Sequence, residues 1–219
     1  MAKKRIIETN DGIQNEITVE VFDQFARGLR DKGWNNVDIF LKSGITGGNV
    51  LELGPGPGYI GLEWLKKSSG ATLTGCEISP AMIQVANTNA REYGLSDRVN
   101  YVEGNVMEMP FPEKTFDAVF SNGSLHEWED PLRVFNEIER VLKPGGIFCV
   151  ADMRRDVNPF IKWFIYFSTK PREIRPGFIT SMNAAYTSEE LSLLFNQSNL
   201  NNTFVHKDFF ALYASGKKD

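Results

Sequence analysis

Short apolar segments alternate with amphipathic segments through the middle of the chain, and this alternation restricts the fold more than any other feature of the sequence. The apolar segments have the length of strands and cover residues 49–53, 71–76, 99–102, 116–120 and 147–150. Between them, apolar side chains recur at three- and four-residue spacing, which indicates helices. Because strands that alternate with helices form right-handed βαβ units, we predict a parallel sheet.

Capping residues mark the starts of three helices. Ser79-Pro80 and Asp130-Pro131 each combine an N-cap side chain with a proline at the first helical position. Thr187 and Glu190 have the spacing of a capping box. We expect Gly145-Gly146 to end the second of these helices, since glycine commonly follows a helix C-terminus.

The two ends of the chain depart from the alternation. Residues 16–43 predict helical structure that Gly33 interrupts before a short helix at 37–41. The polar and aromatic runs 202–206 and 209–214 predict a hairpin at the sheet edge. The predicted fold is therefore α/β: a doubly wound, mostly parallel seven-stranded sheet with a C-terminal antiparallel hairpin and helices on both faces.

Composition excludes several classes of protein. The chain has 219 residues, which is enough for one substantial α/β domain and short for two. Its formal net charge of -4 provides no overall basic field for a nucleic-acid backbone. The most apolar late run, 160–167, contains Lys162 and is too short to span a bilayer, so we expect no membrane partner.

The start of the chain and its cysteines indicate a cytoplasmic protein. Residues 1–5 are basic but lack the apolar stretch of a signal peptide. Cys76 and Cys149 lie in predicted strands, which indicates buried, reduced thiols. Neither cysteine has the spacing of a metal ligand and the chain has two histidines, so we expect no metal site.

A glycine-rich turn follows the first predicted strand. Residues 54–58 place glycine at alternate positions, so the backbone can turn sharply and a ligand can approach it closely. Ligands of doubly wound sheets bind at the carboxyl ends of the strands, where the strand order reverses. Glu77 ends the second strand, where a carboxylate can accept hydrogen bonds from both hydroxyls of a ribose. The turn and Glu77 together predict a nucleoside-containing cofactor.

Two patterns leave a nicotinamide cofactor open as an alternative. Residues 56–61 satisfy the dinucleotide fingerprint GxGxxG. Tyr166 and Lys170 have the Tyr-x-x-x-Lys spacing of short-chain dehydrogenases, in which that pair lies on a continuous helix. Here we expect Pro171 to stop the helix just after Lys170, and the Thr-Gly-x-x-x-Gly-x-Gly loop of those enzymes is absent. We therefore interpret the Tyr-x-x-x-Lys spacing as a coincidence.

Four segments resemble the motifs of one family. Residues 50–58 resemble the first motif of class I S-adenosylmethionine (SAM)-dependent methyltransferases, whose hallmark is an acidic residue, here Glu52, two positions before the first glycine. Residues 77–79, 111–119 and 142–146 are similar to the family's second-strand motif, its run into the fourth strand and its turn into the fifth. This resemblance implies the class I fold, SAM as the methyl donor and S-adenosylhomocysteine as the product.

The resemblance also implies a division of the single domain, residues 1–219. The parts are an N-terminal helical cap (1–46), a SAM-binding core (47–152), a substrate lid (153–186) and a final helix with the hairpin (187–219). We expect the N-terminal helices, with Phe22, Phe25 and Arg27, to close one side of the pocket. The lid would close the other side, beside the methyl donor.

Cofactor contacts are implied at the ends of the first four strands. The residues are Glu52, Gly54, Pro55, Gly56, Gly58, Glu77, Ile78, Met82, Asn105, Val106, Met107, Asn122 and Gly123. The family often has an acidic residue where Asn105 stands, and the amide oxygen of Asn105 can still accept a hydrogen bond from the adenine amino group. Val106 and Met107 would pack on the adenine, with ordinary core packing as the equal alternative.

The segment after the fourth strand is the expected place for the chemistry. His126 titrates near neutrality and is the candidate general base. The alternative is a loop histidine that bonds the backbone or closes over the cofactor. The segment lacks both the Asn-Pro-Pro-Tyr tetrapeptide of amino-methylating enzymes and the cysteine with which RNA cytosine-C5 enzymes attack the base.

The lid 153–186 mixes cations with aromatic side chains and leaves the acceptor open. It suits an acceptor with an aromatic or acyl body and an anionic group, or else a helix that packs its aromatic face on the domain and leaves its basic face in solvent. We favour a small-molecule acceptor, because no RNA-binding module is appended. The alternatives are an RNA or protein acceptor, an NAD(P)-dependent oxidoreductase and a SAM-binding regulator without catalysis. The oligomeric state is not indicated.

Overall fold

The computed structural model describes residues 4–7, 16–200 and 202–219, and a seven-stranded sheet forms the centre of these parts. The strands are β1 (Asn49–Leu53), β2 (Thr72–Glu77), β3 (Val99–Glu103), β4 (Phe116–Asn122), β5 (Leu142–Met153), β6 (Thr203–Lys207) and β7 (Ala211–Lys217). Their order is β3-β2-β1-β4-β5-β7-β6, and β7 is antiparallel to both of its neighbours. The predicted fold class is confirmed.

Helices cover the sheet. They are α1 (Glu16–Asp31), α2 (Val37–Lys42), α3 (Tyr59–Lys67), α4 (Pro80–Glu92), α5 (Pro131–Val141), α6 (Pro159–Ser168), α7 (Arg175–Ala184) and α8 (Ser188–Asn196). Short 3₁₀ turns occupy Leu125–Glu127 and Arg172–Ile174. The predicted N-terminal cap, 1–46, lies partly outside the described residues, and the division of the domain stays a prediction.

The predicted helix starts are confirmed by their capping contacts. Ser79 Oγ accepts a hydrogen bond from the Met82 N–H at 3.3 Å. Asp130 caps α5 in the same way. The Thr187 side chain and Glu190 form the reciprocal bonds of a capping box at the start of α8. Local side-chain chemistry therefore sets where these helices begin.

The end of α5 differs from the prediction. The helix ends at Val141, four residues before Gly145, because Leu142 is already paired with Phe116 of β4. The glycines lie within β5, where a Cβ on Gly146 would crowd the Lys143 carbonyl oxygen. Strand pairing therefore ends the helix earlier than the glycine signal indicated.

Two apolar cores hold the helices against the sheet. On one face, the rings of Phe135 (α5) and Phe195 (α8) stack with their centroids 4.0 Å apart. On the other face, Phe40 of α2 stacks on Phe120 of β4 at 4.6 Å, beside the buried Trp64 of α3. Each fully buried side chain of this size contributes roughly 1.5–3 kcal/mol to stability. The central strands of the sheet are therefore packed on both faces.

The strand order reverses between β1 and β4. β1 pairs with β2 on one side and with β4 on the other, and all three strands are parallel. The connections from β1 and β4 therefore leave the sheet in opposite directions, which opens a crevice at their carboxyl ends. No helix in the described parts of the chain is both long and apolar enough to cross a membrane.

Candidate cofactor and acceptor site

The glycine-rich turn adopts backbone angles that only glycine takes readily. Gly54, Gly56 and Gly58 have φ values of 63°, 53° and 83°. A Cβ on Gly58 would overlap the hydroxyl of the buried Tyr101, and a Cβ on Gly54 would lie 2.9 Å from Ser124 Oγ. These two glycines are needed for close packing as well as for the turn.

A Cβ at Gly56 would contact α1 without a clash. The nearest atom to a Cβ built there is Cε1 of Phe22, at an ordinary contact distance of 3.5 Å. Phe22 belongs to α1, so this helix lies over the turn. The backbone of Gly56 can therefore approach a ligand held between the turn and α1.

Glu77 lies beside the turn at the end of β2 and is buried. Its Oε2 accepts from the Gly56 N–H and its Oε1 from the Ser79 N–H, each at 3.0 Å. Burial raises the pKa of this carboxyl above its usual range, and the backbone N–H groups of Gly56, Ser79 and Ile78 oppose that rise. The next residue, Ile78, exposes an apolar side chain at the same strand end. Met82, one turn into α4, is buried.

Glu52 is buried against the backbone of α3. A Cβ on Gly61 would overlap Glu52 Oε2, so a larger residue there would displace the carboxyl. Burial raises the pKa of Glu52 to about 8, and the negative charge of Glu77 adds to the rise. Within the described residues, Glu52 Oε2 has no hydrogen-bond partner. At neutral pH the Glu52 side chain is therefore largely a neutral carboxylic acid.

Asn105 makes a tight turn after β3. Its Oδ1 accepts from the Met107 N–H at 2.8 Å, and its carbonyl oxygen accepts from the Glu108 N–H at 2.9 Å. Asn105 Oδ1, which we expected to accept a hydrogen bond from adenine, therefore already accepts one from the backbone of the turn. Val106 and Met107 pack partly against the core, as in the alternative interpretation of these residues.

The end of β4 carries an amide pair. Asn122 Oδ1 accepts from Asn36 Nδ2 at 2.6 Å. Asn36 occupies the N-cap position of α2, yet its side chain makes no capping bond. Gly123, with φ of 73°, has no atom within 4 Å of where a Cβ would project. Sequence reasoning missed Asn36, although asparagine just before a helix was a visible signal.

His126 lies in the 3₁₀ turn after β4 and is 3% exposed. Its Nδ1 is 2.9 Å from Asp152 Oδ2, and the same carboxylate oxygen accepts from the His126 backbone N–H at 2.9 Å. Asp152 is the buried residue near the end of β5 and was not predicted as a site residue. Its signal was an acidic residue inside an otherwise apolar strand. The Asp152 carboxylate fixes both the position and the orientation of the imidazole.

The segment predicted as a lid, residues 153–186, contacts the His126 turn. α7 contacts the 3₁₀ turn directly. Arg5 bridges the two, because its Nη2 donates to the His126 carbonyl oxygen at 3.1 Å and its Nε to the Ala184 carbonyl oxygen at 2.5 Å. Its guanidinium also lies 4.2 Å from the centre of the Tyr186 ring. The start of the described chain, the His126 turn and the lid therefore form one packed unit.

A polar network connects α1 to the glycine-rich turn. Asp23 Oδ1 accepts from the Tyr59 hydroxyl at 2.9 Å and from Asn89 Nδ2 at 3.4 Å. Asn89 Nδ2 also donates to the Pro57 carbonyl oxygen in the glycine-rich turn at 2.8 Å. Arg27 forms an ion pair with Asp23 at 3.3 Å. α1 is thus bonded to the turn that it covers.

Three other groups considered from the sequence are the two cysteines, a metal site and the Tyr166–Lys170 pair. Cys76 and Cys149 are buried and unpaired, and burial raises the pKa of each thiol to about 12. Across the residues described, no cluster of three or more His, Cys, Asp or Glu side chains could hold a metal ion. α6 ends at Ser168, so Tyr166 and Lys170 do not share a continuous helix as the short-chain dehydrogenase pair does.

The residues at the strand ends fit a nucleoside-containing cofactor. Glu77 offers a buried acceptor, Gly56 and Gly123 leave room for close approach, and Ile78 offers an exposed apolar surface. A doubly wound sheet with this crevice, an acidic residue at the end of β2 and a two-strand antiparallel addition defines the class I methyltransferase architecture.

Comparison with known proteins agrees with this class. Residues 51–150 match the family model described as a methyltransferase domain. The chain is 41% identical over 115 residues to a sterol 24-C-methyltransferase of Gibberella zeae, an alignment that covers 52% of this chain and 29% of that protein. It is 31% identical over 144 residues to a ubiquinone/menaquinone biosynthesis C-methyltransferase of Cereibacter sphaeroides, covering 66% of this chain and 58% of the relative. The chain thus spans less than two thirds of these relatives.

A solved structure agrees over nearly the whole chain. A protein of Methanococcus maripaludis assigned as a SAM-dependent methyltransferase aligns over 97% of both chains with a TM-score of 0.75 and 21% identity, which shows a common fold. Residues 51–150 therefore form a methyltransferase domain, and the chain has the fold of class I SAM-dependent methyltransferases. SAM is the cofactor of this family.

Proposed function

We propose that this chain transfers a methyl group from SAM to a small-molecule acceptor and releases S-adenosylhomocysteine. The observation that carries the proposal is the buried His126–Asp152 pair, placed at the ends of β4 and β5 next to Asn122 and Gly123. A histidine oriented by a buried carboxylate, under a lid and next to a nucleoside site, is suited to proton transfer from an acceptor.

In this proposal the cofactor lies across the ends of β1, β2 and β4. Glu77 accepts hydrogen bonds from the ribose hydroxyls through the lone pairs that the N–H groups of Gly56 and Ser79 leave available. The glycine-rich turn lies against the methionine part, and Asn36 holds Asn122 in position beside it. Ile78, Met82, Val106 and Met107 provide the apolar surface for the adenine. Asn105 would meet the adenine amino group through lone pairs that the turn leaves available.

Glu52 packs between the glycine-rich turn and α3 in this proposal. Its neutral carboxyl is buried against α3 at Gly61. We therefore assign Glu52 the role of holding β1, α3 and the turn in register, and Gly54, Pro55 and Gly58 the role of shaping the turn. The cofactor supplies an electrophilic methyl group on its sulfonium sulfur.

His126 takes the proton from the acceptor in this proposal. A carboxylate only accepts hydrogen bonds, so Asp152 places the ring proton on Nδ1 and makes Nε2 the basic nitrogen. Glu127 Oε1 lies 3.8 Å from Nε2 and stabilises the imidazolium that forms. The lid and α1 exclude water, which prevents loss of the proton to solvent.

The acceptor we favour is small and largely apolar. The relatives named above are, by their names, methyltransferases of a sterol and of a quinone precursor. The net charge of -4 gives no general attraction for RNA. The cytoplasmic location predicted from the sequence stays a prediction.

Calorimetry with SAM, S-adenosylhomocysteine and NADH tests the cofactor assignment. We expect SAM and its product to bind and NADH to bind at least about 100-fold more weakly; tight NADH binding without SAM binding would contradict the proposal.

Radiolabelled methyl transfer to a panel of sterols, hydroxylated quinones and total RNA then tests the acceptor. Transfer to RNA that collapses between 50 and 200 mM salt would replace the small-molecule acceptor by a nucleic acid.

A further inference from the structure

The helix α6 exposes an apolar stripe. Its members recur at helical spacing along one face and are 83%, 63%, 64% and 51% exposed: Phe160, Trp163, Phe164 and Phe167. The other face of the helix packs Ile161 and Ile165 against Phe178 and Met182 of α7. The helix is therefore apolar on both faces, and the outer face lies in water.

This arrangement is costly for a protein surface. Isolated exposed apolar residues are common, but four adjacent aromatic rings form a patch that marks an interaction site. The sequence left open a helix with a buried aromatic face and a solvated basic face. The structure contradicts that alternative, because the aromatic stripe is the solvated face.

Cations border the stripe at its C-terminal end. Lys170 and Arg172 follow α6 and are exposed. Arg175 places its guanidinium 5.4 Å and 5.7 Å from the ring centres of Tyr166 and Phe167, and donates to the Phe167 carbonyl oxygen at 2.7 Å. Between residues 157 and 182 the chain carries four cations against one anion, Glu173, although the whole chain has a net charge of -4.

We propose that the α6 stripe docks on a lipid bilayer that contains anionic headgroups. The rings of Phe160, Phe164 and Phe167 enter the boundary between headgroups and acyl chains, and Trp163 occupies the interfacial layer that tryptophan prefers. Lys170 and Arg172 pair with the phosphates. The helix lies in the membrane plane, since its ten residues are too few to span the bilayer.

Charge complementarity favours a membrane over a second copy of the chain. A two-fold contact through the stripe would bring the cations of both copies to one interface, where they repel. Anionic headgroups instead neutralise them. The proposal departs from the sequence-based expectation of no membrane partner, because the sequence could not show which face of α6 is covered.

Docking would bring the acceptor side of the domain to the membrane. α6 packs on α7, and α7 contacts the turn that carries His126. An apolar acceptor could then reach the lid without crossing water. This consequence rests on the proposed function, whereas docking itself does not.

Vesicle flotation tests the docking surface. The probes are vesicles of phosphatidylcholine alone and vesicles with 30% phosphatidylglycerol. We expect the wild-type chain to float with the anionic vesicles, and both Trp163→Ser/Phe164→Ser and Lys170→Glu/Arg172→Glu to bind them at least about 10-fold more weakly. Phe204→Ser is the matched control, since Phe204 is 71% exposed on the edge strand β6 and lies outside the stripe. It should bind as the wild type does.

Three outcomes separate the explanations. Absence of flotation at low salt, in a chain that binds SAM by calorimetry, overturns the docking proposal and leaves the proposed function intact. A dimer in sedimentation velocity that Trp163→Ser/Phe164→Ser converts to monomers, without vesicle binding, assigns the stripe to a second copy and overturns the proposal. Flotation by a chain that does not bind SAM supports docking and contradicts the proposed function.

Discussion

The Glu77 carboxylate accepts hydrogen bonds from the backbone N–H groups of Gly56 and Ser79, and in the proposed function its remaining lone pairs accept from the ribose hydroxyls. Glu77→Ala should therefore weaken SAM binding by roughly 2–3 kcal/mol, or about 30- to 150-fold in Kd, the scale of charge-assisted hydrogen bonds. Calorimetry measures this change. Glu103→Ala is the control, because Glu103 occupies the matching position at the end of β3 and is exposed. Equal effects of the two substitutions would mean that Glu77 does not hold the ribose.

The buried carboxyl of Glu52 should make stability depend on pH. Its pKa is about 8 in the folded chain and near 4.5 when unfolded, so folding takes up a proton between these values. Its contribution is fully present below about pH 4.5 and is lost as the pH rises toward 8. We expect the free energy of unfolding to fall by up to about 1.4 kcal/mol per pH unit in this window. Thermal unfolding from pH 5 to 9 measures it.

Glu52→Gln should remove most of that slope. Glutamine has the shape of a protonated carboxyl and does not titrate, so the variant should be the more stable form at pH 8 and differ little from the wild type at pH 5. Parallel unfolding curves for the two proteins across this range would show that Glu52 is ionised in the folded chain.

Replacing His126 tests the proposed base. His126→Ala should lower kcat by about 10²- to 10⁴-fold with little change in SAM affinity, since general-base catalysis contributes on that scale.

Asp152→Asn tests whether Asp152 positions the His126 imidazole. Asparagine can donate to Nδ1, which moves the ring proton to Nε2, so kcat should fall and the acidic limb of the pH–rate profile should shift. A loss of stability with an unchanged pH profile would assign Asp152 a structural role only.

At the scale of elements, the glycine-rich turn is tied to the start of α3. Gly58→Ala combines left-handed strain with an overlap against the Tyr101 hydroxyl, and should cost roughly 2–5 kcal/mol of stability. Gly145→Ala is the matched control. Gly145 has φ of 74° and no atom within 4 Å of the Cβ position, so strain alone should cost roughly 1–2 kcal/mol. Denaturant unfolding compares them, and equal costs would contradict the packing argument.

Elements were predictable where local chemistry decides them. The bounds of β1 and the N-caps Ser79, Asp130 and Thr187 follow from apolar patterning and side-chain capping, which act within a few residues. The end of α5 was not predictable in this way, because pairing of Leu142 with Phe116 joins segments 26 residues apart. The exposure of the aromatic stripe of α6 could not be predicted for a similar reason. The spacing of its aromatic residues shows that they share one face of the helix, but only tertiary packing decides which face is covered.

In the candidate site, too, local features could be predicted from the sequence and long-range contacts could not. The proximity of Glu77 to the glycine-rich turn was predictable because both belong to one βαβ unit with a fixed spacing, and their role in binding the cofactor stays a prediction. Asp152 and Asn36 were missed because each meets its partner across the sheet, 26 and 86 residues away in sequence. Each residue carries a local signal in the sequence, but no local pattern identifies its distant partner. The resemblance to a family predicts where the cofactor binds, whereas the contact between Asp152 and His126 is visible only in the folded chain.

For the whole molecule, α1 acts as a cover held by the Asp23–Tyr59–Asn89 network. Asp23→Ala leaves the Tyr59 hydroxyl without this acceptor, and should speed amide exchange in α1 by roughly 5- to 100-fold. Exchange in β1 and β4 should stay unchanged. Hydrogen exchange with mass spectrometry measures both. Glu20→Ala, an exposed carboxylate one turn earlier in α1, should leave α1 exchange as it is; a similar rise would trace the effect to helix propensity.

The position of β7 has a consequence for synthesis. β7 lies between β5 and β6 and pairs with β5 along seven residues, from Ile147 with Lys217 to Met153 with Ala211. While the ribosome is still making residues 154–210, β5 therefore lacks its partner β7, and the backbone N–H and C=O groups along that side of this apolar strand are unpaired. Such an edge is a template for pairing between nascent chains. Expression yield in cells should accordingly depend on how quickly residues 211–217 leave the ribosome, and on the chaperones that cover β5 until they do.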